Sequence, residues 1–540
     1  MGPQIDAATL KAGLSDGAEI ALIDVREAGQ FGAGHLFFAV PVPYSRFEIE
    51  LPRLVPNPAV RLVLHDGGDG VAEKAALRAR ALGFRNVTVL AGGIEAWRRA
   101  GYTIYSGVNV PSKTFGELVE HQRHTPRITA AELQAMRAAG ENFVIVDGRP
   151  FSEFQKMSIP GGICCPNGEL ALRIKDIAPD PATRIVVNCA GRTRSIIGAQ
   201  TLIDFGIENP VLALENGTQG WVLAGFALEH GADRRYPPKA GSEMAGPRSR
   251  ARALAQRHGV GFPAAGEVAG WLGSEARTTY LLDVRTSEEA AETPAGPGFS
   301  HAPGGQLIQA TDQWVGVKGA RIVLADTDGI RAPVVAAWLR QLGHEAFVLE
   351  GGLAAARTLD RPPLVSGPGT SAPALLTAAQ LASLMAGATP PRIIDLRSSF
   401  AFRKAHIAGA TWSIRPRILA AAADPAAPLV LICDEPAVAA LAAGDLAAAG
   451  CGDIRMLAGS QAAWEAAGYP TQSTPTAPAD ADCIDFLFFV HNRHDGNLDA
   501  MRAYLAWETA LLGQLDAQER GAFRLGGQTT KQGPAHEACI

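Results

Sequence analysis

The sequence predicts an α/β protein of four tandem domains, each a mainly parallel sheet flanked by helices, followed by a C-terminal extension. Two observations carry this. One segment recurs four times without a gap: RLVLHDGGDGVAEKAALRARALG (61–83), RIVVNCAGRTRSIIGAQTLIDFG (184–206), RIVLADTDGIRAPVVAAWLRQLG (321–343) and PLVLICDEPAVAALAAGDLAAAG (428–450). Each copy reads as an aliphatic strand, a loop, a helix and a closing glycine suited to a left-handed C-cap. The flanks recur as well. Upstream, a short apolar strand ends in Asp-x-Arg (LIDVR, IVDGR, LLDVR, IIDLR). Downstream, a second strand leads into a glycine turn and a helix (VTVLAGGIEAW, PVLALENGTQGW, AFVLEGGLAAA, IRMLAGSQAAW). Strands alternating with helices at this spacing predict parallel sheets covered on both faces.

Composition narrows the functional classes. The 540 residues suffice for several domains at about 100–200 residues each. The net charge is −5, and no basic stripe points to nucleic acid. The N-terminus lacks the cationic and apolar blocks of a secretory signal. No run approaches the roughly 18 apolar residues of a membrane span. Seven cysteines, an odd number in a long chain, argue against a disulfide framework and for a soluble, reducing, cytoplasmic setting. No glycine-rich loop carries the lysine of a phosphate-binding site, so no nucleotide, flavin or other cofactor is expected.

Segments rich in Pro, Gly and small polar residues mark the expected linkers at 105–117, 234–253, 364–375 and 470–482. They are expected to be semi-rigid where proline is dense. The expected domains are 1–107, 125–233, 250–363 and 373–472, with the extension at 483–540.

Of the four loops, CAGRTRS is the one equipped for chemistry. A loop that opens a helix gathers backbone N–H groups into an anion nest, and the helix dipole adds partial positive charge. A cysteine there has its pKa lowered and acts as a nucleophilic thiolate. Cys189 has this setting, with Arg192 and Arg194 adding fixed charge, Gly191 permitting a tight turn and Ser195 expected to cap the helix.

The CAGRTR loop, the Asp-x-Arg strand and the glycine-tryptophan turn together resemble the rhodanese-like sulfurtransferases, over about residues 5–470. The resemblance implies that Cys189 takes a sulfane sulfur as a persulfide from a small anionic donor such as thiosulfate. It would pass that sulfur to cyanide, a thiol or a protein cysteine. Arg194, assisted by Arg192, would hold the donor, and the backbone of Ala190, Gly191, Arg192, Thr193, Arg194 and Ser195 would cradle the outer sulfur. The rival is the related phosphatase or arsenate loop, Cys-x5-Arg. Cys189 to Arg194 is Cys-x4-Arg, a smaller bowl suited to one sulfur atom. A different class of function is a persulfide or redox sensor, or a scaffold, modified once and without turnover.

The remaining candidates read as structural. Asp66 and Asp326 replace the cysteine in the first and third copies and form no persulfide. Cys433 in the fourth copy is a secondary candidate sulfur site, but Asp434 and Glu435 oppose a thiolate and Pro436 removes an N–H. Asp147 and Arg149, with their counterparts in the other copies, are expected to support the loop. Cys164 and Cys165 are expected to pack, and His35, His301 and His406 to serve turns, with Ser158 in the histidine's place in the second copy. In the extension, Leu498, Met501, Tyr504, Leu505, Leu511 and Leu512 define one face of a helix. That helix either folds back onto a domain or packs at a dimer interface. His491 and His494 lack a clear third ligand, so no metal is expected.

Overall fold

The computed structural model describes residues 2–237, 243–359, 372–488, 493 and 496–526. In the second unit the strands lie side by side in the order Arg127–Ile128, Val211–Leu214, Arg184–Asn188, Phe143–Asp147 and Ile163–Cys164, all parallel. The first and fourth units repeat this five-stranded order. The third keeps four strands, with Gly261 bridging Phe347 where the missing edge strand would lie. Ile185, Val186 and Val187 are buried. Such an unbroken aliphatic run is what a central strand covered on both faces requires.

The Asp-x-Arg strands carry a recurrent clip. Asp147 accepts from the backbone N–H and Nε of Arg149 at 3.1 and 2.8 Å, and Arg149 also donates to the Met157 carbonyl at 2.7 Å. Asp24–Arg26, Asp283–Arg285 and Asp395–Arg397 repeat the pair. Asp147 lies in register with Asn188, whose Nδ2 donates to it at 2.8 Å, so the clip steadies the strand end from which the cysteine loop departs.

The first three units share one apolar core. Trp338 of the third donates to Thr201 Oγ1 of the second at 2.8 Å, and Phe115 packs edge-on against the Trp338 ring. The fourth unit docks on the first through Arg415, which binds both carboxylate oxygens of Glu48 at 2.5 and 2.8 Å.

Two expected linkers are structured. Val110–Arg123 is a 14-residue helix that packs against Thr193–Phe205, burying Phe115, Leu118 and Val119. Pro111 sits in its first turn, where a missing N–H costs nothing. Ala245–Arg257 is also a helix, packed on Arg331–Gln341, while 238–242 and 360–371 lie outside the described residues. The C-terminal extension folds back: Leu498–Gln514 is a helix laid against Val110–Arg123, burying Met501, Tyr504, Leu505, Glu508 and Leu511. Leu498, expected on that face, is exposed. Among the described residues no helix is long and apolar enough to cross a membrane.

Candidate active site

Cys189 leaves the central strand of the second unit at its carboxyl end, the edge where open α/β sheets bind ligands. It is 2% exposed. The helix that follows begins at Thr193, with Arg192 as its N-cap. Among the described residues, the N–H groups of Ala190, Gly191, Arg192, Thr193 and Arg194 have no hydrogen-bond acceptor. The Cys189 and Ala190 carbonyls, by contrast, are taken. Thr218 N donates to Cys189 O at 2.8 Å and Gln219 N to Ala190 O at 3.2 Å. This clamp comes from the ENG turn, where Gly217 has φ +54° and a Cβ would overlap the Cys189 carbonyl. With carbonyls occupied and amides free, the loop is a cradle for an anion.

The two arginines differ. Arg194 makes a two-pronged pair with Glu153, at 2.8 Å for each bond. Burial opposes its charge, but Glu153, then Cys189 and Asp147, raise its pKa above the ordinary arginine value. Two of its five N–H donors are used by Glu153. Arg192, expected to assist with the donor, is instead held by Glu117 at 2.7 and 2.9 Å, by Glu120 and by Asn216 at 3.3 Å. Both acids belong to the linker helix, so Arg192 pins the loop to it.

Ser195 also departs from expectation. The helix has already begun at Thr193, so Ser195 lies within the first turn and is not the cap. Its N–H donates to the Arg192 carbonyl at 3.1 Å, and its hydroxyl donates to the same carbonyl at 2.8 Å. It therefore adds no free amide to the cradle. Thr193 keeps its free amide while its hydroxyl donates to Glu508 Oε1 at 2.6 Å.

The other loops are closed. Asp66 accepts from the N–H groups of Gly68 and Ala72 at 2.8 and 2.9 Å. Asp326 accepts from Gly329 and Ala332 at 2.9 and 2.8 Å, and Asp328 from Ile330 and Arg331. In the fourth unit the Cys433 thiol donates to the Glu435 carbonyl at 3.2 Å. Burial first, with Asp434, Glu435 and Asp395, pushes that thiol up to about 11. Cys164 is likewise pushed up to about 12, chiefly by burial, and Cys165 well above the usual value. His35 and His406 donate Nδ1–H to the Phe31 and Phe402 carbonyls, at 3.0 and 2.7 Å, in their turns. His491 and His494 lie outside the described residues.

Cys189 opens into a cavity of about 360 Å³. Its walls come from far apart in the chain: Lys113 of the linker helix, Gln306 and Gln309 of the third unit, and Tyr504, Trp507 and Glu508 of the C-terminal helix. Sequence reasoning missed Glu117, Glu120, Glu153 and Glu508. Glu117 and Glu120, three apart on a helix face, were the one local signal.

A family model for the rhodanese-like domain matches residues 6–100, 129–224 and 377–467. The chain belongs to the rhodanese-like family. The third unit falls outside the matched segments, yet its sheet repeats the central strand order. The crystal structure of thiosulfate sulfurtransferase from Pseudomonas aeruginosa is 40% identical, covers 97% of this chain and 99% of its own, and superposes with a TM-score of 0.87. The HTH-type transcriptional regulator Rv0324 of Mycobacterium tuberculosis is 37% identical over 105 residues, 19% of this chain. This match spans 45% of that relative's length.

Proposed function

We propose that this rhodanese-like protein is a sulfurtransferase that carries sulfane sulfur on Cys189. The observation that supports it best is the cradle: five backbone N–H groups without acceptors among the described residues, around one buried cysteine, with Arg194 beside it. The similarity to a thiosulfate sulfurtransferase over nearly the whole chain supports the same reading.

In the first half-reaction the Cys189 thiolate attacks the outer sulfur of thiosulfate. The S–S bond of the donor breaks, and its electron pair leaves with sulfite. The cradle amides hold the persulfide's outer sulfur and the charge that develops there. Arg194, with donors left over from Glu153, attracts the dianion. In the second half-reaction a thiophilic acceptor takes the outer sulfur, and Cys189 leaves as thiolate. Splitting the transfer this way replaces one hard step with two easier ones. Arg192 acts through the loop as a positioning residue, and Asp147–Arg149 steadies the strand end.

The test is thiosulfate-dependent thiocyanate formation by the full chain, beside Cys189→Ser, with intact mass after thiosulfate alone. Wild type should turn over and gain about 32 Da per chain, one sulfur atom, and Cys189→Ser should do neither. Loading without turnover toward cyanide or any thiol would replace the enzyme with a sensor.

A further inference from the structure

We propose that a second cavity, between the first unit, the third unit and the C-terminal extension, binds a small organic anion with an aromatic body and a single negative charge. This site does not depend on the sulfur chemistry at Cys189. The cavity measures about 440 Å³. That lies within the range of about 300–1,000 Å³ for pockets that hold organic ligands, which favour junctions between domains. None of the residues Cys189–Arg194 lines it. Asn109, Gln309 and Ala310 line both cavities, so the two sites stand back to back.

Three observations define the ligand. The first is a ladder of rings along the wall. Phe38 of the first unit and Phe523 of the extension are half-buried, and both meet the buried Phe37 edge-on, with ring centres 4.9 and 6.2 Å apart. Leu22, Val315 and Leu342 complete this apolar part of the wall. Half-buried rings facing a cavity leave apolar surface that another ring can cover.

The second is a pair of cations at one end of the ladder. Lys318 Nζ lies 5.3 Å from the centre of the Phe38 ring. The Lys318 backbone is fixed to Ile20 by hydrogen bonds of 2.9 and 3.2 Å, and the Arg524 N–H donates to the Gln341 carbonyl at 2.8 Å. Among the described residues, neither side chain makes a hydrogen bond or an ion pair. Burial, then Arg524, holds the Lys318 pKa below its usual value, while Asp16 opposes them. Asp16 is itself bound by Arg61 at 2.7 Å. Two neighbouring cations thus repel each other, and an anionic head placed between them removes that cost. Lys318 is half-buried and Arg524 exposed, so both can be reached from the cavity. His35 and His344, in the same wall, are pushed down to about 4, chiefly by burial, and stay neutral near pH 7.

The third is the placement of the acids. Glu345 is ion-paired with Arg277 and leaves no charge over. Asp312 is the other acid of the wall. Burial alone pushes it up to about 6, with no charged side chain among the described residues acting on it, so it stands away from the two cations. A second negative group on the ligand meets repulsion there, which limits the ligand to one.

The test is isothermal titration calorimetry of the full chain with naphthoate, in saturating thiosulfate to keep the probe off the cationic walls around Cys189. Naphthylmethanol has the same body without the charge, and naphthalenedicarboxylate adds a second charge. Each should bind at least about tenfold more weakly than naphthoate, the worth of a hydrogen bond to a charged group. Octanoate, with the charge on an aliphatic chain, should bind about 2- to 10-fold more weakly, the worth of an aromatic pair. Lys318→Gln and Arg524→Gln should each weaken naphthoate by about tenfold and leave thiocyanate formation at the wild-type rate. Naphthoate that fails to bind, binds no better than naphthylmethanol, or binds both variants as tightly as wild type overturns the proposal. Octanoate as tight as naphthoate overturns the aromatic body, and an equally tight dicarboxylate overturns the single charge.

Should the variants not fold, wild type alone decides. Benzoylbenzoate, a photoreactive aromatic monoanion, should crosslink to segments 37–40, 309–318 or 518–524 of the cavity wall, read by peptide mass spectrometry, and excess naphthoate should abolish the labelling. Crosslinks confined to other segments, or none at all, overturn the assignment.

Discussion

The loops of the second and third units are built on the same strand and helix yet satisfy their backbones in opposite ways. In the third, Asp326 and Asp328 bring the anion with them, and their carboxylates accept from four backbone N–H groups. In the second, Cys189 is too short and too weak an acceptor to fill the cradle, and five N–H groups find no acceptor among the described residues. The first unit sides with the third through Asp66. A carboxylate in this loop is thus an internal ligand. The same feature that stabilises the loop removes its capacity to bind anything else, and a working site keeps amides that the fold leaves unsatisfied.

The sharpest way to break this comparison is to exchange the residues. Cys189→Ser and Cys189→Asp should both abolish sulfur loading and thiocyanate formation. Cys189→Asp should nevertheless melt at or above the wild-type temperature in calorimetry, because its carboxylate fills the cradle. A Cys189→Asp protein markedly less stable than Cys189→Ser would show that the loops are not equivalent.

Next in size is the contrast between the arginines. Arg194→Gln should lower kcat/KM for thiosulfate by about 100-fold, within the range for removing one partner of a close charge pair. Arg192→Gln should act mainly on stability, by about 3–5 kcal/mol in urea unfolding, since it strands the buried Glu117. Equal effects on thiosulfate kinetics would return Arg192 to the donor site.

Smaller still, Asp66→Ala should destabilise the first unit by about 1–3 kcal/mol, the cost of leaving buried donors without acceptors. Urea unfolding reads this directly, and sulfur transfer should be unaltered.

Smallest is Cys433. With its thiol pushed up to about 11, about one molecule in a thousand carries the thiolate at pH 8. Iodoacetamide at that pH should leave Cys433 unlabelled, and Cys433→Ser should turn over at the wild-type rate. A large loss of turnover would mean that sulfur passes through both units.

Much of this was legible in the sequence, for identifiable reasons. The repeats were visible because strand, loop and helix recur without gaps, and the third unit could be placed although it lies outside the segments the family model matches. Cys189 stood out because its signals, the strand end, the arginines and the helix start, are adjacent in the chain. What could not be read is what lies far away along it. Glu153 meets Arg194 across 41 residues, Glu117 meets Arg192 across 75, and Glu508 meets Thr193 across 315. The helix within the 105–117 linker was missed because Pro and Gly density signals a break, whereas Pro111 occupies a helix's first turn and Phe115 is buried in the packing. Ser195 was misjudged by three positions, since Arg192 is the N-cap, a margin ordinary for a helix start read from sequence.

The return of the C-terminal helix to the second unit has a consequence in time. The ribosome makes Glu508 roughly 300 residues after Cys189. At about 5–20 residues per second this is an interval of about 15–60 s. Throughout it the pocket of Cys189 lacks the wall that Tyr504, Trp507 and Glu508 supply. The helix that carries Glu508 is therefore the last wall of that pocket to be made.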